Sequence, residues 1–161
     1  MDYGKILNQT VIDIKPSGIR KFFDIAAEMC GVISLGVGEP DFQTPWHIRQ
    51  AGIVSLQNGK TRYTSNRGLK ELRACISKYI NDRTGVKYDP ETDILVSVGG
   101  SEAIDAAVRT LVSPGDEVLI VEPSFVCYEP ICRLAGGIPV ALPTKAENSF
   151  RLTPSELQKH I

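Results

Sequence analysis

Residues 94–108 read ILVSVGGSEAIDAAV, a short apolar run that ends at two glycines and continues into an alanine-rich segment. Ile94–Val98 carries branched apolar side chains at all but one position, the pattern of a strand buried on both faces. Gly99 and Gly100 break the run, and the apolar positions after Ala103 follow helical spacing. The stretch therefore predicts a strand, a tight turn and a helix in succession.

The same alternation continues toward the C-terminus. Val118–Val121 and Ile138–Leu142 are two more apolar runs of strand length, with a helical segment between them. The sequence TPSE at 153–156 is a capping box that opens a further helix. Strands that alternate with helices predict a parallel sheet covered by helices, so the predicted fold class is α/β.

The N-terminal half contains mainly helical patterns. Apolar spacing predicts helices after Ser17 and over residues 69–85. Thr44 as N-cap with Pro45 in the first turn predicts another helix between them. Val32–Leu35 is a candidate for a short strand, and a loop rich in glycine and proline follows it. Residues 1–16 have no clear period and are interpreted as an arm.

Composition and charge argue against several classes of protein. The chain has 161 residues, is 42% hydrophobic and carries a formal net charge of −1, whereas a nucleic-acid-binding surface needs clustered Lys and Arg. No apolar run approaches the roughly 20 residues that span a bilayer. Neither nucleic acid nor a membrane is an expected partner. Four cysteines without a CxxC pair and two histidines predict no metal site, and reduced thiols favour a cytoplasmic protein.

The junction at Gly99, Gly100 and Ser101 allows two interpretations. A helix that starts at a glycine turn presents backbone N–H groups without helical acceptors, and its dipole favours an anion such as phosphate. Glycine and serine are equally typical of an ordinary turn and N-cap, and the carboxylate of Glu102 would repel a nearby phosphate. The P-loop pattern GxxxxGKS/T is absent. The chemistry of this stretch alone leaves both interpretations open.

Four stretches occur in an order that is informative as a set: IKPSGIRKF at 14–22, SLGVGEPDFQTP at 34–45, RYTSNRGLKELR at 62–73, and residues 94–130. Together they resemble the N-terminal portion of the pyridoxal-phosphate-dependent aminotransferases of class I/II, the fold-type I group. The resemblance covers nearly the whole chain. It implies part of an α/β/α sandwich with a mostly parallel sheet.

The resemblance also implies a domain division and a set of binding residues. Residues 1–44 would form the N-terminal arm and a portion of the small domain, and residues 45–161 an incomplete large domain that binds pyridoxal 5'-phosphate (PLP). The residues that match binding positions of the family are Gly99, Gly100 and Ser101 for the cofactor phosphate, Phe125 for stacking on the pyridine ring, Tyr63 for reaching the partner subunit's phosphate, and Gly38 for the substrate α-carboxylate. Each also has a simpler interpretation, as a turn glycine, a core phenylalanine or an exposed loop tyrosine.

The family's lysine that forms the Schiff base has no match in this sequence, nor do its residues for the pyridine nitrogen and the substrate clamp. We therefore assign no catalytic residue, and we expect this chain alone to be inactive, to bind PLP weakly or not at all, and to fold poorly or aggregate. We interpret the chain as a truncated piece of a cytoplasmic homodimer with sites at its interface. The parent enzyme would transfer an amino group from an α-amino acid to a 2-oxo acid in biosynthetic amino acid metabolism.

The sequence leaves two alternatives open. The chain could come from another fold-type I enzyme, such as a C–S lyase or a synthase, because the cofactor cradle would be the same. It could also be a non-catalytic remnant or interaction module. The sequence does not identify the amino acid.

Overall fold

The structure, a computed structural model, describes residues 3–16, 18–33, 38 and 40–161. Its α-helices are α1 Gln9–Asp13, α2 Ile19–Glu28, α3 Trp46–Gln57, α4 Lys70–Thr84, α5 Gly100–Leu111, α6 Tyr128–Leu134 and α7 Pro154–Leu157, and its strands are β1 Glu117–Glu122 and β2 Ile138–Pro143. Short 3-10 helices lie at Tyr3–Lys5, Ala146–Asn148 and Gln158–His160. The chain forms two compact units: residues 18–96, called the helical unit, and residues 1–17 with 97–161, called the sheet unit.

The sheet unit contains the two strands, which run parallel. β1 pairs with β2 from Glu117 opposite Ile138 to Glu122 opposite Pro143. The crossover between them contains α6, as a parallel pair requires. The predicted α/β class and parallel pairing are confirmed, because the apolar runs at 118–121 and 138–142 lie in two strands that pair with each other in parallel.

The core of the sheet unit lies where α6 packs on the strands. Ile120 of β1, Leu142 of β2 and Ile131 of α6 are buried, and Cys132 of α6 is 1% exposed. β2 carries two prolines, which cannot donate to a neighbouring strand, whereas β1 is apolar from Val118 to Val121. The core is therefore small, with one buried residue from each strand and two from α6.

The helical unit is organised around α4. This helix ends at Gly85, whose φ of 74° lies in the left-handed region and whose N–H donates to the Asn81 carbonyl at 2.9 Å. The end predicted near this glycine is confirmed. Arg73 of α4 is a buried charged residue at 4% exposure, and it contacts the loop formed by residues 86–93, called the Glu91 loop.

The predicted strand Ile94–Val98 is wrong. No described residue runs beside it as a ladder partner, and its contact to the chain that precedes it is the Val96 N–H donating to the Arg67 carbonyl at 3.1 Å. Ile94 is buried, but Val98 is 93% exposed. An apolar run becomes a strand when a neighbour takes its backbone hydrogen bonds, and the described chain supplies none here. The candidate strand Val32–Leu35 extends outside the described residues at Ser34 and Leu35 and stays a prediction.

The start of α7 follows the predicted capping box. The Thr153 side chain accepts a hydrogen bond from the Glu156 N–H at 3.2 Å, and Pro154 occupies the first turn. In the ranges that the structure describes, no helix has the length and apolar character to cross a membrane.

Candidate functional site

The turn before α5 has an unusual backbone. Gly99 adopts φ 92° and ψ 169°, a region open almost exclusively to glycine, and α5 begins at the next residue. An added Cβ on Gly99 or Gly100 would meet no atom within 4 Å, so both glycines face open space. Gly99 is thus required by backbone conformation rather than by crowding.

The first turn of α5 leaves backbone donors available. The N–H groups of Gly100 and Ser101 find no acceptor among the described residues, as expected for the first positions of a helix. The Ser97 hydroxyl donates to the Gly99 carbonyl at 2.9 Å and braces the turn from the other side. Two free donors at the positive end of a helix dipole suit an anionic group.

Glu102 leaves the Gly100 and Ser101 N–H groups unoccupied. Its carboxylate accepts a hydrogen bond from the Val98 N–H, on the chain entering the turn. This is a variant of the capping box, in which a glutamate at the third helical position reaches back to a preceding N–H. From the sequence, the charge of Glu102 argues mildly against a phosphate, and its hydrogen bond to the Val98 N–H is not predicted. The third-position glutamate was the signal that could have revealed it.

Phe125 lies in the loop between β1 and α6 and is 53% exposed. Its ring packs against the Tyr128 ring edge to face, with centroids 5.9 Å apart and planes at 79°. The Tyr128 N–H also donates to the Phe125 carbonyl at 3.2 Å. A half-exposed ring held by such a contact can offer its free surface to a flat heteroaromatic ligand.

A cavity of about 460 Å³ opens beside Phe125 at the C-terminal ends of the strands. Its walls include Glu122, Glu129 and Thr144, and the N–H and hydroxyl of Thr144 both donate to the Glu122 carbonyl, at 2.7 and 2.6 Å. No lysine and no residue of the Gly99 turn lies among the described residues that line it. The cavity thus has an aromatic and acidic wall rather than a cationic one.

The other two predicted site residues belong to the helical unit. Tyr63 lies in the loop formed by residues 61–69, called the Tyr63 loop, and its side chain is fully exposed. Gly38 is exposed, and both of its sequence neighbours lie outside the described residues. The structure therefore places Gly99, Gly100, Ser101 and Phe125 in one unit, and Tyr63 and Gly38 in the other.

The groups of the sheet unit with shifted pKa values lie outside the Gly99 turn. Burial raises the pKa of the Cys132 thiol, which makes it a poor nucleophile. The Asp105 carboxylate, hydrogen-bonded at 2.8 Å, raises the pKa of Arg109. Across the described ranges, no group of three or more His, Cys, Asp or Glu could hold a metal ion.

Comparison with known proteins identifies a family. The family described as aminotransferase class I and II matches residues 31–161. YugH of Bacillus subtilis (strain 168) is 53% identical over 155 residues, which are 96% of this chain and 40% of that protein. The aspartate aminotransferase of Pyrococcus abyssi is 47% identical over 148 residues, which are 92% of this chain and 38% of that enzyme.

Solved structures agree with the family match. A crystal structure of Pyrococcus protein A1 has a TM-score of 0.88 at 44% identity and shares 95% of this chain and 39% of its own. The Thermus thermophilus aspartate aminotransferase with maleate has a TM-score of 0.87 at 33% identity, over 96% of this chain and 41% of its own. The chain thus spans about 40% of the length of these relatives and has the α/β fold of the N-terminal part of fold-type I aminotransferases. It belongs to the class I and II aminotransferase family.

Proposed function

We propose that this chain is the N-terminal part of a PLP-dependent aminotransferase that moves an amino group from an α-amino acid to a 2-oxo acid. The observation that carries the proposal is the turn before α5. Gly99 adopts a backbone conformation that is open almost only to glycine. The N–H groups of Gly100 and Ser101 have no acceptor within the described chain. Family membership supports the identity of the anion as a cofactor phosphate.

The residues present fit the phosphate and ring of PLP. Gly99 and Gly100 leave open space for a bulky anion, and the Gly100 and Ser101 N–H groups would bind it. The Phe125 ring would stack on the pyridine and keep water from that face. When bound, PLP supplies an electron sink for the substrate carbanion, and the protein supplies binding and orientation.

Tyr63 and Gly38 would complete the contacts that this chain contributes. Tyr63 would donate its hydroxyl to the phosphate held by the partner subunit, in a homodimer whose sites lie at the interface. The Gly38 N–H would bind the substrate α-carboxylate. Residues 1–44 would form the arm and part of the small domain, and residues 45–161 the incomplete PLP-binding domain of a cytoplasmic enzyme.

No catalytic residue is assigned in this chain. Relatives extend well beyond the shared 40%, and we propose that the lysine that holds the cofactor and moves the substrate proton belongs to that remainder. The lysines with described ion pairs face surface carboxylates: Lys70 with Glu91, Lys78 with Asp82, and Lys159 with Glu156.

The decisive experiment uses the complete encoded polypeptide, read from its own start codon to its own stop codon. It is supplied with PLP, single α-amino acids and a 2-oxo acid, and products are followed by mass spectrometry. We expect a new oxo acid and a new amino acid in equal amounts. Residues 1–161 alone serve as the matched control and should yield neither product.

The two alternatives give different results in the same experiment. Release of ammonia or a thiol without a new amino acid would identify a lyase or a synthase instead. A polypeptide that retains no PLP after borohydride reduction would be a non-catalytic remnant, because the reduction makes a lysine–cofactor linkage permanent.

A further inference from the structure

Tyr63 has a side chain that nothing in the described helical unit holds. Its ring is fully exposed, and no described aromatic or polar group contacts it. The backbone of the Tyr63 loop therefore sets the position from which this side chain extends and the rotamers open to it. Contacts that fix the backbone of the Tyr63 loop thus limit where the Tyr63 hydroxyl can lie.

The loop closes on a tight turn just after Tyr63. The Gly68 N–H donates to the Ser65 carbonyl at 2.8 Å, and the Arg67 N–H donates to the Ser65 hydroxyl at 3.3 Å. Gly68 has a φ of 91°, and an added Cβ would lie 2.7 Å from the Val96 Cβ. The turn is thus pressed against the segment that contains Val96.

Arg67 anchors this turn by two independent bonds. Its carbonyl accepts the Val96 N–H at 3.1 Å, and its guanidinium Nη1 donates to the Glu91 carbonyl. The backbone bond fixes one side of the turn, and the side-chain bond crosses 24 positions to the Glu91 loop. No other described side chain joins the Tyr63 loop to the Glu91 loop.

The receiving loop is itself held firmly. Arg73, which is 4% exposed, donates through Nη1 to the Pro90 carbonyl and through Nη2 to the Glu91 carboxylate at 3.4 Å. Lys70 pairs with the other oxygen of that carboxylate at 3.0 Å. The Ser77 hydroxyl donates to the Tyr88 carbonyl at 2.5 Å. The Glu91 carbonyl is therefore an acceptor on a loop held against α4, and Arg67 ties the Tyr63 loop to it.

We propose that Arg67 is a positioning residue for Tyr63, which sets the hydroxyl of that tyrosine for a phosphate ester. The inference rests on the proposed function, because the phosphate is that of PLP. Arg67 acts through its bond to the Glu91 carbonyl and does not itself contact the ligand. Its effect on phosphate binding cannot then exceed the effect of removing the Tyr63 hydroxyl.

A double-mutant cycle on the PLP affinity of the complete encoded polypeptide tests whether the effect of Arg67 stays within that of the Tyr63 hydroxyl. Tyr63→Phe should weaken PLP binding about tenfold, the loss typical of one hydrogen bond to a charged group. Arg67→Ala should weaken it about fivefold, and the double variant no more than Tyr63→Phe alone. A residue with a merely structural role would instead give effects that multiply.

Two further variants complete the design. Arg67→Lys keeps a cationic donor and should restore affinity to within about twofold of the original. Glu71→Gln lies on α4 outside this cluster, and it should change affinity by less than about twofold. If Arg67→Ala does not fold, Arg67→Met replaces it in the cycle, since methionine keeps the apolar stem and lacks the donors.

The outcomes separate this inference from the proposed function. The role of Arg67 would be overturned, with PLP binding intact, by any of three results. These are losses of affinity that multiply in the double variant, unchanged affinity in Arg67→Ala, and unchanged affinity in Tyr63→Phe. Absence of PLP binding by the unsubstituted polypeptide would overturn both the proposed function and this inference.

Discussion

Gly99 controls how the chain enters α5. Its φ of 92° and ψ of 169° let α5 begin at Gly100, and the Gly100 and Ser101 N–H groups have no acceptor in the described chain. A side chain at Gly99 would strain this backbone even though no neighbour blocks the space. Gly100 has an ordinary conformation and the same open space, which makes the pair a matched test of conformation against size.

We predict that Gly99→Ala and Gly100→Ala differ in stability. Gly99→Ala should lower the free energy of unfolding by about 1–3 kcal/mol, because alanine rarely adopts the required backbone. Gly100→Ala should be neutral or slightly stabilising, since alanine favours a helical position. Denaturant titration of the complete encoded polypeptide measures both. Equal losses in the two variants would contradict the conformational argument.

Phe125 and Ser124 provide a second matched pair. Phe125 is half-exposed and braced by Tyr128, so we expect its ring to carry the stacking contact. Phe125→Ala should raise the PLP dissociation constant of the complete encoded polypeptide about tenfold, whereas Ser124→Ala should change it by less than about twofold. Fluorescence titration with PLP measures both constants. The same constant for the two variants would refute the stacking assignment.

Single residues differ in how far sequence alone predicts them. The Gly99 turn could be predicted, because a strand-like run that ends in glycine before a helical pattern has few solutions. The bond from Glu102 to the Val98 N–H depended on the rotamer of one long side chain. The anchoring by Arg67 joins positions 24 residues apart, a separation that no local pattern encodes.

At the scale of elements, prediction succeeded for helices, which make their backbone hydrogen bonds internally, and for two strands that pair with each other. Helices α2 to α5 appear where they are predicted, although the N-cap of α3 is Pro45 and not Thr44, and Gly85 ends α4 as predicted. β1 and β2 supply each other's hydrogen bonds. Ile94–Val98 has a strand-like composition equal to theirs but finds no ladder partner in the described chain. A strand is a property of a pair, so composition alone could not predict this outcome.

The attachment of the Glu91 loop to α4 predicts a dependence on pH. The hydrogen bond from Lys70, with Arg73 close by, lowers the pKa of Glu91 below its ordinary value. The folded form therefore binds this proton less readily than the unfolded form. The stabilisation is present above the ordinary glutamate pKa of about 4.3 and is lost as pH falls through the lowered value.

We predict that Glu91→Gln flattens the acid limb of the stability profile. The thermal unfolding temperature of the complete encoded polypeptide should decrease as the pH is lowered from 5 to about 3, and this decrease should be smaller in Glu91→Gln. Glu71→Gln, on the same helix but outside this cluster, is the control and should leave the slope unchanged. A Glu91→Gln profile parallel to the original would contradict the assignment.

The whole molecule exposes apolar surface that its own described residues do not cover. α3 buries none of its residues, and Trp46 is 62% exposed although Arg49 lies over its ring at 5.5 Å. Phe42 and Val98 are 87% and 93% exposed. Large apolar side chains left exposed in this way can mark contact sites or aggregation-prone regions. The relatives, of which this chain spans about 40%, contain further chain that could cover such surface.

We therefore predict that residues 1–161, purified alone, self-associate and melt without a sharp transition. β1 adds to this tendency, because its apolar run has β2 on one side and no described strand on the other. Sedimentation velocity at several concentrations should give weight-average sedimentation coefficients that rise with concentration. Near-ultraviolet circular dichroism should show a gradual thermal transition. The complete encoded polypeptide, under the same conditions, is the comparison. A monodisperse 161-residue species with a cooperative transition would contradict the prediction, because the small core of the sheet unit would then suffice to hold the chain folded.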